Sequence, residues 1–544
     1  MKNTISTATE FIEFHSTKLI AALLIITLII VSASSASNKY VTVDESVYIA
    51  SGYSYVKTLD FRLNPEHPLL AKTLFGIALL PLNPVLPLDA VSWSASEQTG
   101  TVGKNYDFAA DFFKANQGIE RELIFTPRLV SILLTAFLAL LVFLWSKDLF
   151  GSKAALLSLF LFVFSPNILA HSHLATLDIA LATFVFASFY FLHLFVKTGK
   201  IRAVAVSALF FSFACMTKFS ALAFLPLIFF FIAFNKDKLS GERARFMRKI
   251  NNVPFYLVAF ALFIAIPLLL ANLLYFVDPS GQSFGVIPTR LVDGYNFIQG
   301  WVNSGREGFL LGEMRTEMPE YFLAAFLMKE TIPFIALLLT SFYLLFRNPR
   351  KDAMLMLMPA VAFFVLVSLF TNFYLGLRYV LPVFPFLFVF CGIILAEKRW
   401  KKILEDRRLL YLFIVIVAFH AVSTIAVYPH FLAYFNEAIN PSDAIDHLSD
   451  SNLDWGQDLW LFQQYVEENN IERVNFIYFG WPFYDERFPQ AFYNKQCEPL
   501  HGNVAISATA LVGRDFAERS CFEWLREQEP KEKIGFTIYY FELE

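Results

Sequence analysis

Long apolar runs dominate the chain and are spaced by short polar punctuation. A helix crossing the roughly 30 Å hydrocarbon core needs about 20 apolar residues. Runs of that kind occupy 18–36, 126–146, 154–170, 177–196, 203–216, 219–234, 254–277, 320–346, 355–371, 378–396 and 409–428. They predict about eleven transmembrane helices. The fifth and sixth are short and separated by Thr217-Lys218, so they read as a tight hairpin or one broken helix. Between the first two runs, apolar positions with few charges at 45–58 and 69–80 predict helices lying along the membrane surface. Asn64-Pro65-Glu66-His67-Pro68 forms a turn between them, because each proline biases its predecessor away from helix. Residues 104–123 mix charges with aromatics and read as a further surface helix.

Beyond about residue 440 the pattern changes. Acids and amides become common and Trp455, Trp460, Trp481 and Trp524 appear. Residues 456–469 read as a helix, and 473–480, 503–508 and 534–541 as strands. The expected fold is therefore a polytopic α-helical membrane protein, residues 1–435 with the outer loop 37–124, followed by a small α/β domain at 436–544.

Composition agrees with the pattern: 56% of residues are hydrophobic and only 17% are charged, against about a quarter in soluble proteins. A net charge of −3 and the lack of a basic, aromatic-rich tract argue against a nucleic-acid partner. Among the short loops, 147–153, 197–202, 235–252, 347–353 and 397–408 carry nearly all the Lys and Arg, including Arg243, Arg245 and Arg248, and the alternate short loops hold almost none. By the positive-inside rule the basic loops and the N-terminus are cytoplasmic. Loops 37–124 and 278–319 and the tail 429–544 are then extracytoplasmic. A competing reading takes Lys18 and Ser32-Ala33-Ser34-Ser35-Ala36 as a signal peptide, although Glu10 and Glu13 are atypical of one. Cys215 and Cys391 lie in apolar runs; Cys497 and Cys521 are placed to pair if the tail meets an oxidising compartment.

Ionisable side chains at span ends carry the candidate chemistry, since the bilayer penalises charge. Asp44-Glu45, Glu66-His67, Lys72, Arg128, His171, His173, Asp178, Lys218 and Arg378 all fall on the outer side. Carboxylates beside cations at that depth suit an anionic lipid headgroup, with a carboxylate acting on a nearby hydroxyl. Each also has a plainer reading. A lone Lys or Arg at a span end snorkels, and Asp-Glu at a helix start caps it. His171 and His173, two apart, do not share a helix face.

Taken together, Asp44-Glu45-x-x-Tyr48-x-x-x-Gly52, Asp60 and Asn64-Pro65-Glu66-His67-Pro68-Leu69-Leu70-x-Lys72 resemble the first outer loop of the polyprenyl-phosphate-dependent GT-C glycosyltransferases. That superfamily includes the protein O-mannosyltransferases and the aminoarabinose transferases of lipid A. The resemblance continues in Pro127-Arg128, Ala175-Thr176-Leu177-Asp178, Thr217-Lys218-Phe219-Ser220 and Gly376-Leu377-Arg378-Tyr379. Leu69 replaces the second proline of the common His-Pro-Pro pattern. The tail, with Asp450-Ser451-Asn452-Leu453-Asp454-Trp455-Gly456-Gln457-Asp458, looks like that of bacterial members. The resemblance implies an inverting transfer from a polyprenyl-phosphate sugar to a hydroxyl of a protein, lipid or glycan acceptor. It implies Asp44 as general base, with Glu45 and Asp178 in the catalytic set. Arg128, Lys218, Arg378 and Tyr379 would hold the donor phosphate, and Glu66, His67 and Lys72 the acceptor or sugar. No cofactor is required by the pattern; for a possible divalent metal, Glu66, His67 and His171 are the candidate ligands. A lipid-linked glycan ligase or polymerase, a transporter and an inactive scaffold are the alternatives.

Overall fold

The computed structural model describes residues 2–95, 103–235, 253–276, 278, 286–480, 490–493, 497, 499–514 and 518–544. The basic loop containing Arg243, Arg245 and Arg248, and Trp481 in the tail, lie outside the described residues. Among those described, seven helices are long and apolar enough to cross a membrane: His15–Asn38, Glu120–Phe150, Leu177–Thr198, Leu257–Tyr275, Lys351–Phe370, Leu377–Leu395 and Arg407–Ile425. Two bent pairs raise the number to nine if each counts as one span. Ser152–Val163 and Pro166–Ser172 meet at 63°, and Tyr321–Lys329 and Ile332–Arg347 at 117°. In both pairs Pro lies at the start of the second helix, Pro166 and Pro333, behind the capping hydroxyls of Ser165 and Thr331. Those residues start a new helix more readily than they continue an old one. The remaining two predicted runs form the shorter helices Ile201–Cys215 and Phe219–Asn235. A helix of that length rises only about 25 Å or less, short of a full bilayer core.

The outer spans leave large apolar side chains uncovered, among them Leu257, Leu269, Leu412 and Val415. Lipid is the solvent in which that surface is stable, and the chain is a polytopic helical membrane protein.

The loop 37–124 departs from the surface-helix expectation. Helix Val43–Thr58 buries an unbroken stretch from Glu45 to Tyr55 and packs against helices Leu70–Ala78 and Gly103–Ala115. It crosses Leu70–Ala78 at Gly52 and Gly76, where a Cβ on Gly52 would lie 1.9 Å from the Lys72 carbonyl oxygen. Only hydrogen side chains permit that approach. The crossing swings the Asn64–Pro68 turn inward, where a surface arrangement would have left it in solvent. The predicted 104–123 helix is two elements: it stops at Ala115 and restarts at Glu120 as the beginning of the second long span.

The tail carries a mixed sheet of five strands: β3 Val474–Ile477, β4 Ala491–Tyr493, β5 Gly502–Ser507, β6 Glu532–Ile534 and β7 Ile538–Leu543, with β1 Gly308–Leu310 and β2 Glu313–Arg315 forming a separate hairpin. Its order is β4-β3-β5-β7-β6, parallel across the first three and antiparallel thereafter. Helix Leu459–Glu468 covers it, Phe462 stacking on Phe476 at 4.5 Å between ring centroids. Cys497 and Cys521 form a disulfide.

Candidate active site

Local chemistry fixes where Asp44 points. Thr42 opens helix Val43–Thr58 through a capping box: the Glu45 carboxylate accepts from the Thr42 backbone N–H at 2.9 Å and from its hydroxyl at 3.1 Å. Glu45 also accepts from the Ala175 N–H at 2.7 Å and holds Arg128 bidentately, at 2.8 and 2.7 Å. Arg128 spends its other N–H groups on the carbonyls of Ala36, Lys39 and Tyr40. All five guanidinium donors are satisfied, and both side chains are fully buried. Glu45 and Arg128, expected in the catalytic and phosphate-binding sets, therefore stand beneath the site as its support, with no donor or surface left for a ligand. Asp44, the neighbouring residue on the same turn, is 20% exposed and faces the other way.

Three span ends converge on Asp44. Arg378 donates to it at 2.8 Å and lies 3.7 Å from Asp178. Asp178, in the first turn of helix Leu177–Thr198, accepts from Lys218 at 2.7 Å. The Lys218 ammonium sits 4.6 Å from the Tyr379 ring centre, and the Arg378 guanidinium 5.2 Å from the same ring. Lys218 thus uses one strong acceptor for three donors, and the Arg378 Nε is buried without a partner. Two carboxylates and two cations nearly cancel, leaving a polar floor with spare N–H groups for an anion.

The Asn64–Pro68 turn supplies the wall beside Asp44. Lys72 donates to the carbonyl and side-chain oxygens of Asn64, at 2.7 and 3.1 Å, and to the His67 carbonyl at 2.6 Å. Its three donors are consumed in shaping the turn, so Lys72 is a strut and the expected acceptor contact is not available to it. Glu66 and His67 line the cavity. Burial, and then the Asp44 carboxylate, push Glu66 from the usual 4.5 to about 7, while burial and the nearby lysines hold His67 well below its usual value. A carboxyl raised in the folded state stabilises the fold most below its unfolded value, and that contribution fades as pH climbs towards 7. The thermal midpoint should fall between about pH 5 and about pH 8, and Glu66→Gln should flatten that fall. Equal slopes for the two proteins would refute the assignment.

Asp44, Glu66, His67, Lys218, Arg378 and Tyr379 open onto one cavity of about 650 Å³, which Asp178 and Lys72 do not line. Its far wall is apolar: Phe363, Leu366, Val367 and Phe370 form one stripe of helix Lys351–Phe370, facing Leu222. Leu222, Leu366 and Phe370 are also exposed on the flank of the bundle, so the cavity reaches the lipid-facing surface. The opposite rim carries residues that sequence reasoning missed: Tyr106, Tyr295, Gln299, Trp301 and Arg306. Arg306 lies 4.2 Å from the centre of the Trp301 ring, which stacks on Phe373. The signal available was an Arg five residues after a Trp in the 278–319 loop, too common to single out.

The histidines divide. His173 is held by the Leu169 carbonyl and the Ser35 hydroxyl. His171 is buried with Nδ1 unpartnered but does not line the cavity, so it does not join Glu66 and His67. Among the described residues no group of three His, Cys, Asp or Glu is placed to hold a metal ion.

Residues 119–270 match the family model described as dolichyl-phosphate-mannose-protein mannosyltransferase. No curated protein sequence matches the chain significantly. Among solved structures, ArnT from Cupriavidus metallidurans in the apo state is similar over 98% of both chains, with 12% identity and a TM-score of 0.50. The same protein bound to undecaprenyl phosphate gives 12% identity, coverage of 95% and 97%, and a TM-score of 0.44. The S. cerevisiae protein O-mannosyltransferase Pmt1–Pmt2 complex bound to the sugar donor covers 48% of this chain and 33% of that one, with 14% identity and a TM-score of 0.32. The family-model match takes in Pro127-Arg128, Ala175-Thr176-Leu177-Asp178 and Thr217-Lys218-Phe219-Ser220 of the resemblance. In fold the chain is similar to ArnT, and across residues 119–270 it resembles the dolichyl-phosphate-mannose-protein mannosyltransferase family.

Proposed function

We propose that the protein transfers a sugar from a polyprenyl-phosphate donor to an acceptor hydroxyl on the extracytoplasmic face, with inversion at the anomeric carbon. The observation that carries this is one cavity with a carboxylate and cation floor at the span ends and an apolar wall open to lipid. Such a cavity takes a charged headgroup and a hydrocarbon tail together.

In this reading Lys218 and Arg378, on the Tyr379 face, bind the donor phosphate. Breaking the anomeric C–O bond leaves its electron pair on the phosphate oxygen, and the phosphate gains a negative charge. The two cations therefore bind the transition state more strongly than the donor. Arg378 is shared between Asp44 and Asp178 in the free chain; a phosphate that takes over its Nη1 releases the Asp44 carboxylate. Asp44 then accepts the acceptor's hydroxyl proton as the acceptor oxygen attacks opposite the leaving phosphate. Asp178 keeps both cations in register, and Glu66 and His67 border the sugar or acceptor. The acceptor is a protein, lipid or glycan hydroxyl.

The topology belongs to the same proposal: about eleven membrane segments in a bacterial inner membrane, the N-terminus cytoplasmic, residues 1–435 as the membrane module and 436–544 as an extracytoplasmic domain.

Loss of one charged hydrogen bond to phosphate costs about 10- to 100-fold in affinity. Lys218→Gln should weaken undecaprenyl phosphate binding by that factor in detergent-solubilised protein. Unchanged affinity would remove Lys218 from the phosphate site.

A further inference from the structure

The sequence run 450–458 has no part in the chemistry above, yet it touches both ends of the site. Its main chain bonds the segment that carries Asp44: the Tyr40 N–H donates to the Gln457 carbonyl at 2.9 Å and the Val43 N–H to the Trp455 carbonyl at 3.1 Å. Lys39, next to Tyr40, is paired with Asp458 at 2.5 Å inside the protein. The same run grips the segment leading to Arg378. Asn452 accepts from the Leu377 N–H at 2.9 Å, and the Ser451 hydroxyl donates to the Leu375 carbonyl at 2.7 Å. Between these contacts the Trp455 ring lies 4.1 Å from the Arg378 guanidinium carbon and is 1% exposed.

The run is itself anchored to the tail sheet. Thr509, just beyond β5, donates its N–H to the Asp454 carboxylate at 2.9 Å and its hydroxyl to the Asp454 carbonyl at 3.0 Å. Thr537, just before β7, donates to Asp458 at 2.8 Å. A chain of bonded contacts thus runs from the sheet to the two residues given the base and phosphate roles.

We infer that the tail completes the active site, and that Trp455 is a positioning residue that holds the Arg378 guanidinium flat between Asp44 and the phosphate position. The aromatic face offers the delocalised cation a buried, non-competing partner, leaving its N–H edge for oxygen ligands. This rests on the function proposed above and deepens it, because it makes the tail part of phosphate binding.

The test measures undecaprenyl phosphate affinity of the full chain in detergent, with Trp455→Leu, Trp455→Phe, Arg378→Gln and the Trp455→Leu/Arg378→Gln double variant. Trp455→Leu should weaken binding about tenfold, and Trp455→Phe, which keeps a π-face, about threefold or less. In the Arg378→Gln background Trp455→Leu should add nothing, since its effect passes through that guanidinium. A merely structural role predicts additive losses and no rescue by Phe. Should Trp455→Leu fail to fold, Gly376→Ala serves: its Cβ would meet the Ser451 hydroxyl at 2.3 Å and part the run from the segment leading to Arg378. It too should weaken binding in the parent but not in Arg378→Gln. Parent-like affinity of Trp455→Leu, or additivity, overturns the inference while leaving the function intact. No binding by the parent chain overturns both.

Discussion

Replacing Asp44 with Asn should lower the rate of sugar transfer by about 10²–10⁴-fold while donor affinity stays the same or rises. Asn keeps the shape of Asp and still offers an oxygen to Arg378, so the arrangement of the floor survives. What it loses is the capacity to take a proton from the acceptor hydroxyl. It also loses a negative charge beside the phosphate position, which favours an anionic donor. The split between rate and affinity separates a base from a binding group. Initial rates at saturating and limiting donor measure it. Equal rates for parent and variant, or a loss confined to donor affinity, would remove Asp44 as the base.

The largest expected effect on stability lies one residue away. Arg128→Ala strips the fully buried Glu45 carboxylate of its bidentate partner and removes the guanidinium donors to the carbonyls of Ala36, Lys39 and Tyr40. Breaking a buried pair from one side costs about 3–5 kcal/mol, a large part of the roughly 5–15 kcal/mol that holds a domain together. The variant should yield little folded protein. Adding Glu45→Gln should recover part of the loss, because a neutral amide leaves no unpaired charge. Thermal unfolding and yield from membranes measure both. A well-folded Arg128→Ala protein with weakened phosphate binding would return Arg128 to the donor site.

That contrast shows what the sequence could and could not reveal. The apolar runs were legible because a bilayer imposes length and composition directly, and all eleven are helical in the structure. Two are too short to span on their own and two are bent, which depends on packing and on prolines behind capping residues. Charges at span ends were legible as a group, since lipid makes each of them costly. Their division of labour was not. Asp44 and Glu45 are adjacent in the chain, and only the capping box turns one towards Arg128 and the other towards Arg378. Arg128 and Arg378 look alike in sequence, yet one is saturated by five acceptors and the other keeps a spare Nε. Trp301, Arg306 and the 450–458 run reach the site through contacts more than a hundred residues long in sequence from Asp44, which no local pattern records. The buried course of helix Val43–Thr58 turned on the Gly52–Gly76 contact, again a pairing of distant positions.

The central claim is tested most directly by incubating the purified protein in liposomes with radiolabelled polyprenyl-phosphate sugars and membrane extract as acceptor, alongside Asp44→Asn. The account predicts label passing to a non-lipid-phosphate product, with release of polyprenyl phosphate, from the parent and not from the variant. Transfer only from diphosphate-linked donors, or no transfer while the protein binds polyprenyl phosphate normally, would contradict it.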